Sequence, residues 1–259
     1  MPTDTKHTPF EPGRRLLVVA AANEARAVLD LFGIRVGASL TKPAATGLQR
    51  TGAILGAELP GQAITSWSVI ELARIDLLVT GVGKANATGA VVAAAANRQY
   101  GSIINIGIGG SLPCNPTPVP IGQVVLGTVA HFADEGVQTP AGFLPLAHLG
   151  FACGFDGADA VKPDQVLFKQ LETLADVSGG IATVSVCSGT DALARQIAER
   201  TGAIAEGMEG AGVLLAAAHL GIPAAEFRVI SNTTGDRSGQ VWDIKTAMKR
   251  LATLAVSLA

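Results

Sequence analysis

The chain has 259 residues, 48% hydrophobic and 15% charged, with 31 glycines. That balance excludes a disordered chain, which needs low hydrophobicity and high charge. A formal charge of −2, from 19 Lys and Arg against 21 Asp and Glu, gives no electrostatic reason to expect nucleic acid, whose binding relies on cations neutralising phosphates.

The length suits one large α/β domain, expected over residues 14–259 after a flexible amino-terminal segment, 1–13. Met1–Pro12 is polar and lacks the apolar core of a secretory signal. The first strand reads as Leu16–Ala20, followed by a helix from about Glu24 to Leu31. Asp76–Thr80 is a second strand, leading through Gly81-Val82-Gly83 into a long helix from Lys84 to about Arg98. Ser102–Ile106 is a third, ending in what reads as a glycine turn, Gly107–Gly110. Gly122–His131 looks like a further strand. Thr139–Asp159, rich in Gly, Pro and Phe, reads as a long ordered loop, and its Phe143, Phe151 and Phe155 favour a role in covering a pocket. Strands then return at Ala182–Val186, Ala203–Glu206 and Phe227–Ser231, alternating with helices at Asp191–Thr201 and about Gly210–Leu220. Trp242 to Leu258 closes the chain as an amphipathic helix.

Near-continuous apolar strands alternating with helices imply a sheet buried on both faces. The fold class is therefore α/β: a single-domain, three-layer α/β/α arrangement around a central mixed, mostly parallel sheet. The most apolar stretch, Ala211–Ile222, is interrupted by His219 and Gly221 and is too short to span a bilayer. Cys114, Cys153 and Cys187 are odd in number, far apart and without a C-x-x-C pair. They argue against a disulfide framework or zinc and for a reducing, cytoplasmic setting.

Gly81-Val82-Gly83-Lys84 fits neither nucleotide motif. Asn86 stands where a dinucleotide fingerprint needs its third glycine, and Leu78 and Ala85 stand at two required positions of a phosphate loop. The turn still lies at the carboxyl end of a strand, where such sheets bind ligands. His131, Asp134 and Glu135 have no second histidine cluster beside them, so no metal is expected. Glu24 sits in a first helical turn, where a carboxylate also suits the helix dipole. Glu206-Gly207-Met208-Glu209 sets two carboxylates in apolar surroundings at a strand-to-helix junction. Buried charges need partners, and the hydroxyls of a ligand suit Glu209, whereas Glu206 has no such claim. Ser231-Asn232-Thr233-Thr234-Gly235-Asp236-Arg237 is a polar cluster after an apolar strand.

LLVVAAANEA, TGVGKANA with NIGIGGSL, and GMEGAGVLLAA with FRVISN occur in this order over most of residues 14–259. The set resembles the purine nucleoside phosphorylase and nucleosidase superfamily. Within it, DEGVQTPAGF from Asp134, and SNTTGDR with Trp242-Asp243-Ile244, are similar to the futalosine hydrolases, which release hypoxanthine from futalosine in menaquinone biosynthesis. The resemblance implies a small-molecule nucleoside substrate, no cofactor and a homo-oligomer. It implies that Glu24 activates water, that Met208 and Glu209 contact ribose, and that Gly81 and Gly109 supply backbone near the sugar. Asn232 stands where adenine-specific nucleosidases carry an aspartate; an amide offers donor and acceptor to a 6-oxo purine. Ala20-Ala21-Ala22 and Ile108 replace the anion ligands of the phosphorylases, so water is the expected nucleophile. Arg237 is a candidate partner for the benzoate of futalosine, with a lysine or arginine elsewhere equally open. Three other readings remain: a methylthioadenosine or adenosylhomocysteine nucleosidase, a purine or uridine nucleoside phosphorylase, and an inactive nucleoside-binding protein.

Overall fold

A computed structural model describes residues 13–36, 49–52, 58–59, 67–114 and 117–259. The amino-terminal segment expected over 1–13 falls almost wholly outside them. The chain runs β1 (Arg15–Val19), α1 (Ala22–Leu31), β2 (Arg35–Val36), β3 (Gln49–Gly52), β4 (Glu58–Leu59), β5 (Ser68–Glu71) and β6 (Ile75–Val79). It continues with α2 (Lys84–Asn97), β7 (Ser102–Ser111), β8 (Val124–Phe132), β9 (Gly136–Thr139), β10 (Gly142–Pro145) and β11 (Ala160–Val161). The last part holds α3 (Gln165–Leu171), β12 (Val177–Thr183), α4 (Asp191–Thr201), β13 (Ala203–Gly207), α5 (Gly210–His219), β14 (Ala224–Thr233) and α6 (Ile244–Ser257).

Among the described residues, ten strands form one sheet in the order β11-β8-β12-β13-β7-β1-β6-β5-β3, with β14 paired to both β7 and β8. Parallel pairs join β1 to β6 and β7, β3 to β5, β14 to β7, and β12 to β8 and β13. Antiparallel pairs join β5 to β6, β13 to β7, β11 to β8, and β14 to β8. The sheet is thus mixed and mostly parallel, as the sequence predicts. The double pairing of β14 also closes β8, β12, β13, β7 and β14 into a ring. Val125, Ile181, Ala205 and Ile230, one from each of four ring strands, pack together.

Helices cover both faces. On β1, Leu17 and Val19 pack with Val28 and Leu29 of α1 and Leu251 and Leu254 of α6. Leu16 and Val18 face the other way, onto Ala87 and Val91 of α2 and Val213 and Ala217 of α5. Burial on both sides is why β1 reads as an unbroken apolar run rather than an alternating one.

Two expectations are corrected. Gly107–Gly110 is strand, not turn: β7 runs through it to Ser111. These glycines are needed for close approach. A Cβ on Gly109 would stand 2.6 Å from the Glu206 carbonyl oxygen, and one on Gly107 would collide with the Arg228 guanidinium. Second, Thr139–Asp159 is not one loop. Thr139 ends β9, which pairs antiparallel with β10, and a short 3₁₀ turn follows at Leu146–Leu149. No residue of this segment lines the main cavity. Phe143 lies under the Arg200 guanidinium, Phe155 lies against His219, and Phe151 is exposed.

Candidate active site

The carboxyl ends of β1, β7, β12, β13 and β14 converge on a cavity of about 470 Å³, within the usual range for a small-molecule site. Its wall includes Glu24, Ile108, Gly109, Gly110, Ser188, Glu206, Met208, Glu209, Asn232, Arg237 and Trp242.

Glu24 stands at the third position of α1, and its side chain folds back over the end of β1. Oε2 accepts from the N–H groups of Ala20 and Ala21, both at 3.0 Å, and Oε1 accepts from Ile108 N–H at 3.0 Å. The carboxylate therefore fills the nest of backbone donors between β1 and β7. Burial pushes its pKa up, against the pull of those N–H groups and of Arg228. Gly81, at φ 85°, gives its N–H to the Ala20 carbonyl at 2.9 Å. It stands just behind the wall rather than in it; the wall residue there is Val82.

Glu209 precedes the first residue of α5. Its Oε1 accepts from Gly83 N–H at 3.1 Å, and its Oε2 from Arg228 Nη2 at 3.2 Å. Arg228 is 1% exposed. It also donates through Nη2 to Asn105 Oδ1 at 2.6 Å and through Nε to Glu226 Oε1 at 2.9 Å. Burial raises the Glu226 pKa, and Arg228 opposes that rise. Asn105, Glu226 and Arg228 were not picked from the sequence. Their one signal there is a charged or amide residue inside an apolar strand, which buries badly without a partner.

Across the cavity, Glu206 is 6% exposed. Its Oε2 accepts from Ser188 Oγ at 2.6 Å, and its Oε1 from Ser188 N–H at 3.1 Å. Burial raises its pKa, and Ser188 pulls it back. Sequence reasoning gave Glu206 no claim to a ligand and passed over Ser188. Asn232 ends the buried part of β14; its Oδ1 accepts from Ser231 Oγ at 2.8 Å and its Nδ2 donates to the Thr233 carbonyl at 2.9 Å. One amide hydrogen and one lone pair remain. Met208 touches Cys187, sulfur to sulfur at 3.5 Å. The Gly109 carbonyl oxygen lies 3.2 Å from Ser231 Oγ, the longer alternative acceptor for its one hydrogen. Arg237 lies over Trp242, 4.8 Å from the ring centroid, and is the single Lys or Arg in the described wall.

Outside the cavity, Lys84 pairs with Asp134 and Glu135, and Asp134 also accepts from Ser185 N–H. No helix among the described residues is long and apolar enough to cross a membrane.

Residues 69–259 match the family model described as Phosphorylase superfamily. The futalosine hydrolase of Acidothermus cellulolyticus is 38% identical over 240 residues, which cover 92% of this chain and 87% of that one. That of Streptomyces coelicolor is 37% identical, covering 71% of this chain and 78% of its own. Among solved structures, the 5'-methylthioadenosine/S-adenosylhomocysteine nucleosidase of Neisseria meningitidis, in complex with methylthio-immucillin-A, superposes with a TM-score of 0.67 at 18% identity. It covers 95% of this chain and 100% of that one. That likeness is one of fold. The sequence likeness is closer, and by it this chain belongs to the futalosine hydrolase family of the phosphorylase superfamily.

Proposed function

We propose that this protein hydrolyses the N-glycosidic bond of futalosine and releases hypoxanthine, a step of menaquinone biosynthesis. Similarity to three futalosine hydrolases supports the substrate. The choice of water over phosphate is carried by one observation: the Glu24 carboxylate already occupies the N–H groups of Ala20, Ala21 and Ile108. A phosphate entering there meets a negative charge and the Ile108 side chain instead of free donors.

In the reaction, loss of the base gives an oxocarbenium-like sugar, as in other glycoside hydrolyses. Glu24 takes a proton from the attacking water; a raised pKa makes it a stronger base. Glu209 accepts from the ribose hydroxyls and lends negative charge beside the cationic ring, while Met208 and the Gly109 backbone pack against the sugar. Asn232 gives a hydrogen bond to O6 and accepts one from a protonated N7, stabilising charge as it develops on the leaving base. Arg237 pairs with the carboxylate of the benzoate arm. The protein works in the cytoplasm, as a homo-oligomer.

The deciding experiment measures base release from futalosine, inosine and methylthioadenosine, each with and without phosphate. Hypoxanthine from futalosine, at a rate indifferent to phosphate, is the expected result. Adenine release from methylthioadenosine as the main activity, or strict dependence on phosphate, overturns the reading.

A further inference from the structure

Residues 234–243 connect β14 to α6 and put Arg237, Gln240 and Trp242 on the cavity wall. Gln240 stands between the other two. Its Oε1 accepts from Arg237 Nη1 at 2.9 Å and from Trp242 Nε1 at 3.1 Å. Its Nε2 donates to the Gly235 carbonyl at 2.9 Å and to the Ser188 carbonyl at 3.1 Å. Both lone pairs and both hydrogens of the amide are thus in use. The amide has one orientation: turned over, it would set its hydrogens against two donors and its oxygen against two carbonyls. The segment is also fastened to the loop that holds Ser188. Arg237 N–H donates to the Gly189 carbonyl at 3.1 Å, and Asp191 and Asp236 exchange backbone-to-carboxylate bonds at 3.0 and 2.9 Å.

On this base the Arg237 guanidinium is held from two directions, by the indole face 4.8 Å away and by the Gln240 oxygen. No carboxylate among the described residues pairs with it. Gln240 engages Nη1, so the hydrogens of Nε and Nη2 remain for the two parallel bonds of a guanidinium–carboxylate pair. An exposed arginine left alone spreads over many rotamers, and ordering it on binding costs affinity. We infer that Gln240 is the positioning residue of a carboxylate subsite: it holds the Arg237 guanidinium against Trp242, set for the acidic arm of the nucleoside. The inference deepens the proposed function and rests on its reading of Arg237. In this role Gln240 acts through Arg237, with the carbonyls of Ser188 and Gly235 as its fixed points.

The test measures KM and kcat for futalosine and inosine in wild type, Gln240→Met, Arg237→Ala and the double variant. Calorimetry measures binding of both nucleosides to the same set in a Glu24→Gln background. Methionine keeps the length of the side chain without its hydrogen bonds. Loss of preorganisation predicts a rise of about two- to tenfold in the futalosine KM relative to that for inosine, with the effect on KM rather than kcat. In the Arg237→Ala background the same substitution should add nothing, because the cation it positions is gone. An equal loss on both nucleosides, an additive effect in the double variant, or an unaltered futalosine KM overturns the inference. Where Arg237→Ala still raises the futalosine KM in those cases, the reading of Arg237 stands without it. An Arg237→Ala variant that binds futalosine as wild type does overturns that reading and the inference together. A protein that cleaves no futalosine, yet binds it more tightly than inosine and loses the margin in Gln240→Met, overturns the proposed reaction and not the role of Gln240.

Discussion

The two carboxylate walls of the cavity are built on opposite plans. On one, Glu209 is tied to a backbone N–H and to Arg228, which is itself locked by Asn105 and Glu226. On the other, Glu206 has, among the described residues, only the hydroxyl and N–H of Ser188. The ionic wall fixes geometry but ties its stability to a single buried cation serving two carboxylates. The neutral wall holds its acid through one serine. Compensation by a buried cation thus serves one wall and, among the described residues, not the other.

The largest expected effect falls on Glu24, which belongs to neither wall. Glu24→Gln should lower kcat by about 10²- to 10⁴-fold while hypoxanthine binding is retained; near-normal turnover would remove it from the reaction. In wild type, kcat/KM should fall on the acid side around a midpoint above the ordinary carboxylate range, because burial raises this pKa and only the ionised form accepts a proton. Next comes the ionic wall. Arg228→Met leaves Glu209 and Glu226 buried without their cation and should cost about 3–5 kcal/mol in urea denaturation. A loss near zero would mean that Glu226 is neutral in the fold. Arg237→Ala should raise KM for futalosine about tenfold and leave inosine unchanged, since inosine has no carboxylate; an equal rise on both would place Arg237 elsewhere.

The smallest effect tests the neutral wall. Burial raises the folded pKa of Glu206 above its unfolded value, so wild-type stability is lost as pH rises through that raised value. Glu206→Gln escapes this loss and should melt about 2 °C higher near neutral pH. The advantage should shrink as pH falls toward the ordinary carboxylate range. A variant less stable at every pH would show that Ser188 compensates the charge in full.

Much of the scaffold was legible because its signals are local. Helix α4 begins and ends where the sequence places it: Thr190 caps the first turn through Leu193 N–H, and Gly202, at φ 68°, stops the last. The β1 and β6 strands follow from apolar runs alone. Gly81-Val82-Gly83 and Gly107–Gly110 look alike in sequence, yet only the first is a turn. Gly81 and Gly83 take positive φ, while Gly107 and Gly109 make room for Arg228 and Glu206 from other strands. That difference is set by residues about a hundred positions away. Glu24, Met208, Glu209 and Asn232 stand in the cavity wall where the motif order suggests, and Gly81 stands behind it. Glu206 was given no role and Ser188 was passed over because neither an acid nor a loop serine carries a local signal that the two meet at the cavity. The ring of five strands was illegible for the same reason, since it depends on β14 pairing with two partners.

Gly110 has a consequence for how this site can evolve. Any side chain there would press on the Thr234 methyl, 2.7 Å from a Cβ, and would fill the space between Glu206 and Asn232. Drift at this position is therefore closed, although nothing polar or charged is at stake in the residue itself. The spacing of Glu206 and Asn232 on either side of β7 is thus held by a missing methyl group.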